Sequence, residues 1–145
     1  YLRTRISKRI EFDLIIEARE NIEVQINKPL FSWVIENLVK NAVDAMRGEG
    51  KLMLTVSENE TQVFIDVSDT GHGMNLAYQK LIFQPGFTTK KRGWGLGLSL
   101  AKRIINDYHK GKIFVKYSEL GKGCTFRIAL EKSGIVIDPT TEKIG

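Results

Sequence analysis

Glu36-Asn37-Leu38-Val39-Lys40-Asn41-Ala42 is the stretch from which the organisation of this chain can be worked out. It lies inside an apolar run whose period predicts an amphipathic helix over residues 29–46. At about 100° per residue, the apolar side chains share one face of this helix, and Asn37, Asn41 and Asp44 line its border. Their amide and carboxylate oxygens suit a hard cation such as Mg²⁺, which usually takes only one or two ligands from a protein. Taken alone, the three residues are better explained as the polar boundary of an amphipathic helix.

A second polar stretch, Asp69-Thr70-Gly71-His72-Gly73-Met74, follows an alternating apolar run that predicts a strand. A carboxylate at such a strand end can accept a hydrogen bond from the exocyclic amine of adenine, while the adjacent glycines leave room for the base. Guanine carries a carbonyl at that position and would be rejected. By itself the motif is also an ordinary turn after a strand.

The loop over residues 83–97 has an unusual density of groups that suit phosphate. It combines an apolar anchor, two adjacent hydroxyl residues, a basic triplet at residues 90–92 and three glycines at alternate positions: Gly93, Gly95 and Gly97. These glycines free the backbone to turn its amides toward phosphate, and the last one opens a predicted helix whose amino end favours an anion. A glycine-rich stretch on its own also fits a flexible loop.

In this order the segments 36–42, 69–74, 83–90 and 93–98 resemble the N, G1, F and G2 boxes of the GHKL ATPase superfamily. They are most similar to those of the catalytic ATP-binding domain of sensor histidine kinases, over most of the chain. The resemblance implies the Bergerat fold, an α+β two-layer sandwich in which a mixed, mostly antiparallel sheet of about five strands packs on about three helices, with a long ATP lid. It also implies a protein-histidine kinase that uses ATP and Mg²⁺.

The resemblance assigns roles to particular residues. Asn41 corresponds to the N-box asparagine that holds Mg²⁺, and Asn37 to the position one turn earlier that orders the phosphates and the attacking group. Asp69 corresponds to the aspartate that reads adenine, and Lys90 or Arg92 would neutralise the γ-phosphate during transfer. The expected catalytic residues are Asn37, Asn41 and Lys90. The residues expected to contact the nucleotide are Asn37, Asn41, Asp44, Asp69, Gly71, Gly73, Met74, Phe83, Thr88, Thr89, Lys90, Arg92, Gly93, Trp94, Gly95, Leu96, Gly97, Leu98 and Thr125.

Three of these residues have particular counterparts in the family. Thr125 resembles a threonine of the family's final strand that lies near the adenine pocket. Asp44 stands where many histidine kinases have a lysine that reaches the nucleotide, and Trp94 stands where the family often has a small hydroxyl residue.

The composition is that of one ordinary globular domain. The chain has 145 residues, of which 42% are hydrophobic and 27% charged, and it has no apolar run long enough to span a membrane. Its net charge of +5 fits nucleic acid as well as an anionic nucleotide. The basic residues are scattered and do not interleave with aromatic residues on strands, so we expect no nucleic-acid partner. Cys124 is the only cysteine, which excludes an internal disulfide and favours a buried thiol.

The coarse secondary structure follows from apolar periodicity. Strands are predicted over residues 8–18, 21–26, 52–56, 63–67, 112–118 and 124–130. Helices are predicted over residues 29–46, 76–82 and 96–108, the first with a helix-start proline at Pro29. Residues 1–7 fit the last turns of a helix.

We divide the chain into the end of a linker or helix at residues 1–9, a kinase domain at residues 10–132 and a C-terminal tail at residues 133–145. The first residues show no signal pattern, and we expect the chain to be a piece of a longer protein. The resemblance implies two partners: an upstream dimerisation hairpin of the same protein that carries the phosphoacceptor histidine, and the receiver domain of a response regulator. We expect this piece to be cytoplasmic and, alone, monomeric, and the sequence leaves open whether the parent protein is anchored to a membrane.

Two alternatives remain open. ATPases of the gyrase, mismatch-repair and chaperone type hydrolyse ATP and usually have a glutamate where this chain has Asn37. A non-catalytic, nucleotide-gated interaction module is the second alternative, which intact Asn41 and Asp69 disfavour and Trp94 keeps open. Neither of the two histidines, His72 and His109, resembles the family's phosphoacceptor.

Overall fold

The computed structural model describes residues 9–18, 23–87 and 97–133. They form one five-stranded sheet with the strand order β1-β2-β3-β5-β4 and three helical segments. The strands are β1 Ile10–Ile16, β2 Gly50–Glu58, β3 Gln62–Asp69, β4 Lys112–Glu119 and β5 Gly123–Glu131. The helices are α1 Lys28–Ala45, α2 Leu76–Leu81 and α3 Gly97–Arg103, which continues as a π-helical turn over Ile104–Tyr108. The predicted fold class is confirmed.

The sheet is mixed in the way that was predicted. β1 runs parallel to β2, whereas β2–β3, β3–β5 and β5–β4 are antiparallel pairs. α1 and the helix after Gly97 pack on one face of the sheet and build the core with it. The largest fully buried side chains come from both layers: Leu38, Leu52, Ile105, Ile128, Leu130, Val34 and Val67. Helix α1 is therefore fixed against the middle of the sheet by its apolar stripe.

The start of α1 follows the sequence signals. Asn27 is the N-cap, and its side chain accepts a hydrogen bond from the amide of Leu30 at 3.2 Å, while Pro29 lies in the first turn. Such a cap satisfies one of the amides that a helix leaves unpaired, and proline loses nothing there. The helix ends at Ala45, one residue before the predicted end. Within the described residues, no helix is long and apolar enough to cross a membrane.

One predicted strand is wrong in its described part. Residues 23–27 are irregular rather than extended in a ladder. Their backbone groups find other partners: the carbonyl of Glu23 accepts from the amide of Ser133 at 2.7 Å, and the amide of Asn27 donates to His109. The described part of this pattern, residues 23–26, therefore lies before the amino end of α1, with Val24 packed against the core, and outside the sheet. The predicted helix at residues 1–7 lies outside the described residues.

The face of the sheet opposite the helices carries a charged cluster. Asp66 on β3 is buried, and Arg127 on β5 grips both of its oxygens, with Nε to Oδ1 at 2.8 Å and Nη2 to Oδ2 at 3.0 Å. Lys116 adds a contact at 3.4 Å, and the Arg127 guanidinium lies over the ring of Phe64 at 4.3 Å. A bidentate pair of this kind has a specific geometry, so it fixes the pairing of the two central strands.

His109 joins the end of the α3 helical segment to the beginning of α1. Its Nε2 accepts a hydrogen bond from the backbone amide of Asn27 at 3.0 Å, and its Nδ1 lies 3.0 Å from the carbonyl of Ile104. A backbone amide only donates, so Nε2 carries the lone pair and Nδ1 carries the proton. Phe31 packs edge-on against the ring. His109 is therefore a buried structural residue that links the two helical segments, and both of its ring nitrogens have hydrogen-bond partners.

We predict that His109→Leu lowers the free energy of unfolding by about 1 to 3 kcal/mol, because it leaves the Asn27 amide without a partner. Chemical denaturation of the variant measures this loss. His72→Leu is the control, since His72 is exposed and surface changes of this kind usually stay within about 0.5 kcal/mol. Long-range ¹⁵N spectra of the wild type should show His109 as the neutral tautomer protonated at Nδ1. A proton on Nε2 would contradict the hydrogen bond from the Asn27 amide to His109.

Candidate functional site

Helix α1 places the predicted phosphate-side residues along one border. Val34, Leu38 and Ala42 face the core, and this turns Asn37 and Asn41 to the edge of the buried face, where both are half-buried. Asp44 is exposed at the last turn. The side-chain nitrogen of Asn37 is buried and has no hydrogen-bond partner among the described residues. Buried polar atoms are nearly always paired, so an unpaired amide at this border indicates a place for a polar ligand.

The start of α3 lies directly against Asn37. A Cβ added at Gly97 would be 2.9 Å from both Oδ1 and Nδ2 of the Asn37 amide. A side chain at position 97 would therefore displace the Asn37 amide, and with glycine there the first turn of α3 lies directly beside the predicted phosphate-side amides. This contact joins the predicted N-box helix to the end of the predicted lid.

The loop over residues 69–74 is attached to the end of α1. The Asp69 carboxylate accepts a hydrogen bond from the amide of Gly71 at 2.8 Å, and the amide of His72 donates to the carbonyl of Ala45 at 3.1 Å. A Cβ at Gly71 would come within 2.6 Å of the Ala45 carbonyl oxygen. The predicted adenine-reading loop and the predicted magnesium helix therefore form one unit.

The glycines of this loop allow close packing of protein backbone. They were predicted to leave room for the base, and that role stays a prediction; the position that a Cβ would take at each is occupied by backbone of a neighbouring segment. Gly73 has φ of +67°, and a Cβ there would lie 2.1 Å from the Glu119 carbonyl oxygen. Gly123 has φ of +115°, and a Cβ there would lie 2.1 Å from the Asp69 carbonyl oxygen. The two glycines let the loop and the β4–β5 turn interlock.

Asp69 ends β3 in a half-buried position. Burial raises the pKa of its carboxyl above the ordinary value of 3.8, and amide hydrogen bonds from Gly71 and Cys124 oppose this only in part. The ionised carboxylate is thus incompletely solvated in the folded domain. A further donor, such as the amino group of adenine, would compensate for that lost solvation.

The sheet register places Cys124, not Thr125, beside Asp69. Cys124 is the direct partner of Asp69 across β3 and β5, and it belongs to the buried core. The Thr125 hydroxyl lies 2.8 Å from that of Ser68, on the opposite face of the sheet. Successive side chains of a strand point to opposite faces, so Thr125 does not share the side of Asp69. Burial raises the pKa of the Cys124 thiol to about 12.

Three predicted contact residues pack at the edge of the core near these loops. Met74, Phe83 and Leu98 are partly buried against the main cluster. The ring of Phe83 meets Phe126 at a centroid distance of 6.1 Å, and Lys102 Nζ lies 5.7 Å from the Phe83 ring centre. Phe83 therefore anchors the amino end of the predicted lid to β5.

The remaining predicted contacts lie outside the described residues. They are the central lid positions Thr88, Thr89, Lys90, Arg92, Gly93, Trp94, Gly95 and Leu96. Their roles stay predictions.

Sequence reasoning missed three residues that the structure brings to the site. Cys124 could have been found, because the alternation in β5 puts it on the same face as Phe126 and Ile128. Ala45 gave no signal, since its contribution is a backbone carbonyl. Ser118 was also missed, because an irregularity in β4 decides which way it points.

Comparison with known proteins places these features in a family. A family model described as "Histidine kinase-, DNA gyrase B-, and HSP90-like ATPase" matches residues 27–134. The chain belongs to this family. Within the histidine kinase-, DNA gyrase B- and HSP90-like ATPases, it is similar to sensor histidine kinases. It is 40% identical over 120 residues to the signal transduction histidine-protein kinase AtoS of Escherichia coli K12, a match that covers 81% of this chain and 19% of AtoS.

Solved structures agree with this assignment. The catalytic domain of the histidine kinase ThkA matches with a TM-score of 0.75 and 34% identity, over 86% of this chain and 81% of that one. A ThkA structure in complex with the response regulator protein TrrA matches with a TM-score of 0.72 and 31% identity, over 86% of this chain and 34% of that one. The predicted family and the catalytic ATP-binding domain type are confirmed.

We predict that Asp69→Asn raises the melting temperature at pH 7 and weakens ATP binding by about 1.5 to 3 kcal/mol. The stability gain arises because the raised carboxyl pKa makes the ionised form unfavourable in the folded state, and an amide avoids this cost. The gain should fade as the pH falls through the raised pKa toward 3.8, since the wild-type carboxyl is then neutral too. Melting curves between pH 3 and pH 8, with calorimetric titration of ATP, measure both effects.

Asp13→Asn provides the matched control, because Asp13 is exposed on β1. Its melting temperature at pH 7 should stay close to that of the wild type, as is usual for an exposed surface change. Undiminished ATP binding by Asp69→Asn would remove this residue from adenine recognition.

We predict that Cys124 in the native domain reacts with Ellman's reagent at pH 8 at least a hundredfold more slowly than in the unfolded chain. A thiol pKa of about 12 leaves roughly one thiolate in ten thousand at that pH, and the side chain is buried. The same protein in guanidinium chloride serves as the reference. Equal rates in the two states would show that the thiol is accessible.

Proposed function

We propose that this domain binds Mg·ATP and transfers the γ-phosphoryl group to a histidine on a dimerisation hairpin of its parent protein. The observation that carries the proposal is the buried side-chain nitrogen of Asn37 at the edge of α1, which lies against the first residue of α3 and has no hydrogen-bond partner in the described part of the chain. The same helix carries Asn41 one turn later and is joined at Ala45 to the loop that holds Asp69. A phosphate-side border and an adenine-side carboxylate thus lie on one continuous scaffold.

The described residues suit ATP and Mg²⁺. Asp69 offers a partly desolvated acceptor for the amino group of adenine, and Asn37 offers a side-chain nitrogen that no described residue pairs with on the phosphate side. Asn41 would supply an amide oxygen to Mg²⁺, which keeps water and phosphate oxygens for its other positions. Mg²⁺ would supply charge neutralisation of the phosphates during transfer. The domain's own contribution is to position the nucleotide.

The histidine that accepts the phosphoryl group is proposed to come from outside this chain. His109 is buried, and the lone pair of its Nε2 is committed to the Asn27 amide. His72 lies in the loop over residues 69–74, with Nδ1 2.8 Å from the carbonyl of Gly73. Neither has the arrangement of a free, nucleophilic imidazole opposite the phosphate-side residues.

Hydrolysis as the main activity is less well supported. The hydrolytic relatives were expected to have a glutamate at position 37 to activate water, and an amide there cannot act as a general base. A non-catalytic nucleotide-gated module also remains a candidate, because the central lid residues that would neutralise the γ-phosphate are outside the described range. Phosphotransfer separates these three functions.

The partners follow from the kinase proposal. The response regulator in the ThkA complex supports a receiver domain as the partner that takes up the phosphoryl group. We propose a cytoplasmic location for this domain, since ATP and receiver domains are found there, and a monomeric state for the domain alone. No nucleic-acid partner is proposed.

We predict that the parent protein, incubated with γ-labelled Mg·ATP, gains a phosphoryl group that is labile in acid and stable in alkali. Asn41→Ala should abolish this label, because Mg²⁺ would lose its amide ligand from the protein, while the melting temperature changes by only a few degrees. Lys40→Ala, an exposed neighbour on the same helix, should keep the activity.

The outcomes separate the candidates. Release of inorganic phosphate without protein label would favour an ATPase, and nucleotide binding with neither product would favour a non-catalytic module. Normal labelling of Asn41→Ala would remove Asn41 from the metal role.

A further inference from the structure

We propose that Ser118, on the edge strand β4, is a positioning residue that holds the adenine-reading loop in place. This inference rests on the proposed nucleotide-binding function. It starts from an irregularity in β4. The pairing of β4 with β5 is regular from Lys112 to Val115, then skips one residue and resumes with Tyr117 opposite Thr125 and Ser118 opposite Cys124.

The extra residue reverses the alternation of β4. Val115 pairs with Phe126 and packs against the core, so regular alternation would turn residue 117 to that side and residue 118 away from it. The bulge gives the opposite result: Tyr117 is exposed and bonds Glu119, while Ser118 lies on the side of Cys124 and Asp69. Bulges often re-aim a side chain next to a functional site.

Ser118 uses its hydroxyl in both directions. Its Oγ accepts a hydrogen bond from the amide of Met74 at 2.8 Å and donates to the carbonyl of Gly123 at 3.2 Å. Gly123 is the residue whose missing side chain lets the turn approach the Asp69 carbonyl. One hydroxyl therefore bridges the carboxyl end of the loop over residues 69–74 and the backbone of the β4–β5 turn.

The loop is held at two of its residues, His72 and Met74. The His72 amide donates to the carbonyl of Ala45 in α1, and the His72 carbonyl accepts from the amide of Gly121 at 2.8 Å. At its end, Met74 is held by Ser118 at its amide and by Gln79 at its carbonyl, at 3.1 Å. The contacts to Ala45 and Gly121 are backbone to backbone, so Ser118 is a point where one small substitution loosens the loop without touching Asp69.

The first test is made without nucleotide. In Ser118→Ala the amide of Met74 loses its acceptor, and its hydrogen exchange, followed by NMR, should accelerate at least tenfold. Ser68→Ala is the matched control: it removes a hydroxyl from β3 on the opposite face of the sheet, and the Met74 amide should keep its protection. Unchanged exchange in Ser118→Ala would overturn the proposed contact.

The second test measures nucleotide affinity. Ser118→Ala should weaken the binding of ATP and of ADP by the same factor, roughly 5- to 30-fold. The lost hydrogen bond lies on the adenine side, so its effect does not depend on the phosphates. Ser118→Thr, which keeps the hydroxyl, should restore most of the affinity. If Ser118 only stabilised the fold, Ser118→Ala and Ser118→Thr with equal melting temperatures would bind ATP equally well.

The outcomes distinguish the two proposals. If the wild type binds ATP and folded Ser118→Ala binds it equally well, the positioning role is wrong and the proposed function stands. If the wild type does not bind adenine nucleotides, both fail. Should Ser118→Ala not fold, Ser118→Cys keeps the size with a weaker hydrogen-bonding group and is compared with Ser118→Thr in the same two measurements.

Discussion

The site depends on the close backbone approach between the loop after β3 and the turn between β4 and β5. At Gly73 and Gly123, any side chain would come within 2.1 Å of a carbonyl oxygen of the other segment. Both residues also have a backbone conformation that side-chain-bearing residues rarely adopt. Because these two segments interlock, Asp69 is buried enough to have an unusual pKa, and the loop that carries it stays in contact with the end of α1. The position of the carboxylate is therefore set by backbone packing more than by the aspartate itself.

The same arrangement has a cost in stability that serves binding. A carboxylate in water is well solvated, whereas Asp69 in the folded domain receives amide hydrogen bonds that only partly replace that solvation. The side-chain nitrogen of Asn37, which has no hydrogen-bond partner among the described residues, has a similar character on the proposed phosphate side. Natural domains commonly tolerate such unfavourable groups where a ligand will satisfy them. At each end of the proposed nucleotide, the described residues thus leave one polar group incompletely compensated.

Much of this architecture could be predicted from sequence, because periodicity and caps are local signals. The helix with Asn37 and Asn41 on its border, its start at Asn27 and Pro29, and the hairpin of β2 and β3 all followed from such patterns. The face of the sheet on which Cys124 lies could also have been predicted from the alternation in β5. Thr125 was predicted instead, because that prediction relied on resemblance to the family rather than on the alternation of side chains along the strand. Ser118 could not be predicted, since a one-residue bulge leaves no compositional trace and reverses every side chain that follows it. The strand expected over residues 21–26 failed in its described part, because long-range partners claimed the backbone groups there.

The hydrogen bond between Asn27 and His109 has a consequence for how the domain folds. The amide of Asn27 finds its partner 82 residues further along the chain. During synthesis, the Asn27 amide therefore cannot meet this partner until residue 109 has left the ribosome. The contact between the helix that carries Asn37 and Asn41 and the helical segment after Gly97 closes a long loop of chain, and contacts between residues so far apart in sequence slow folding.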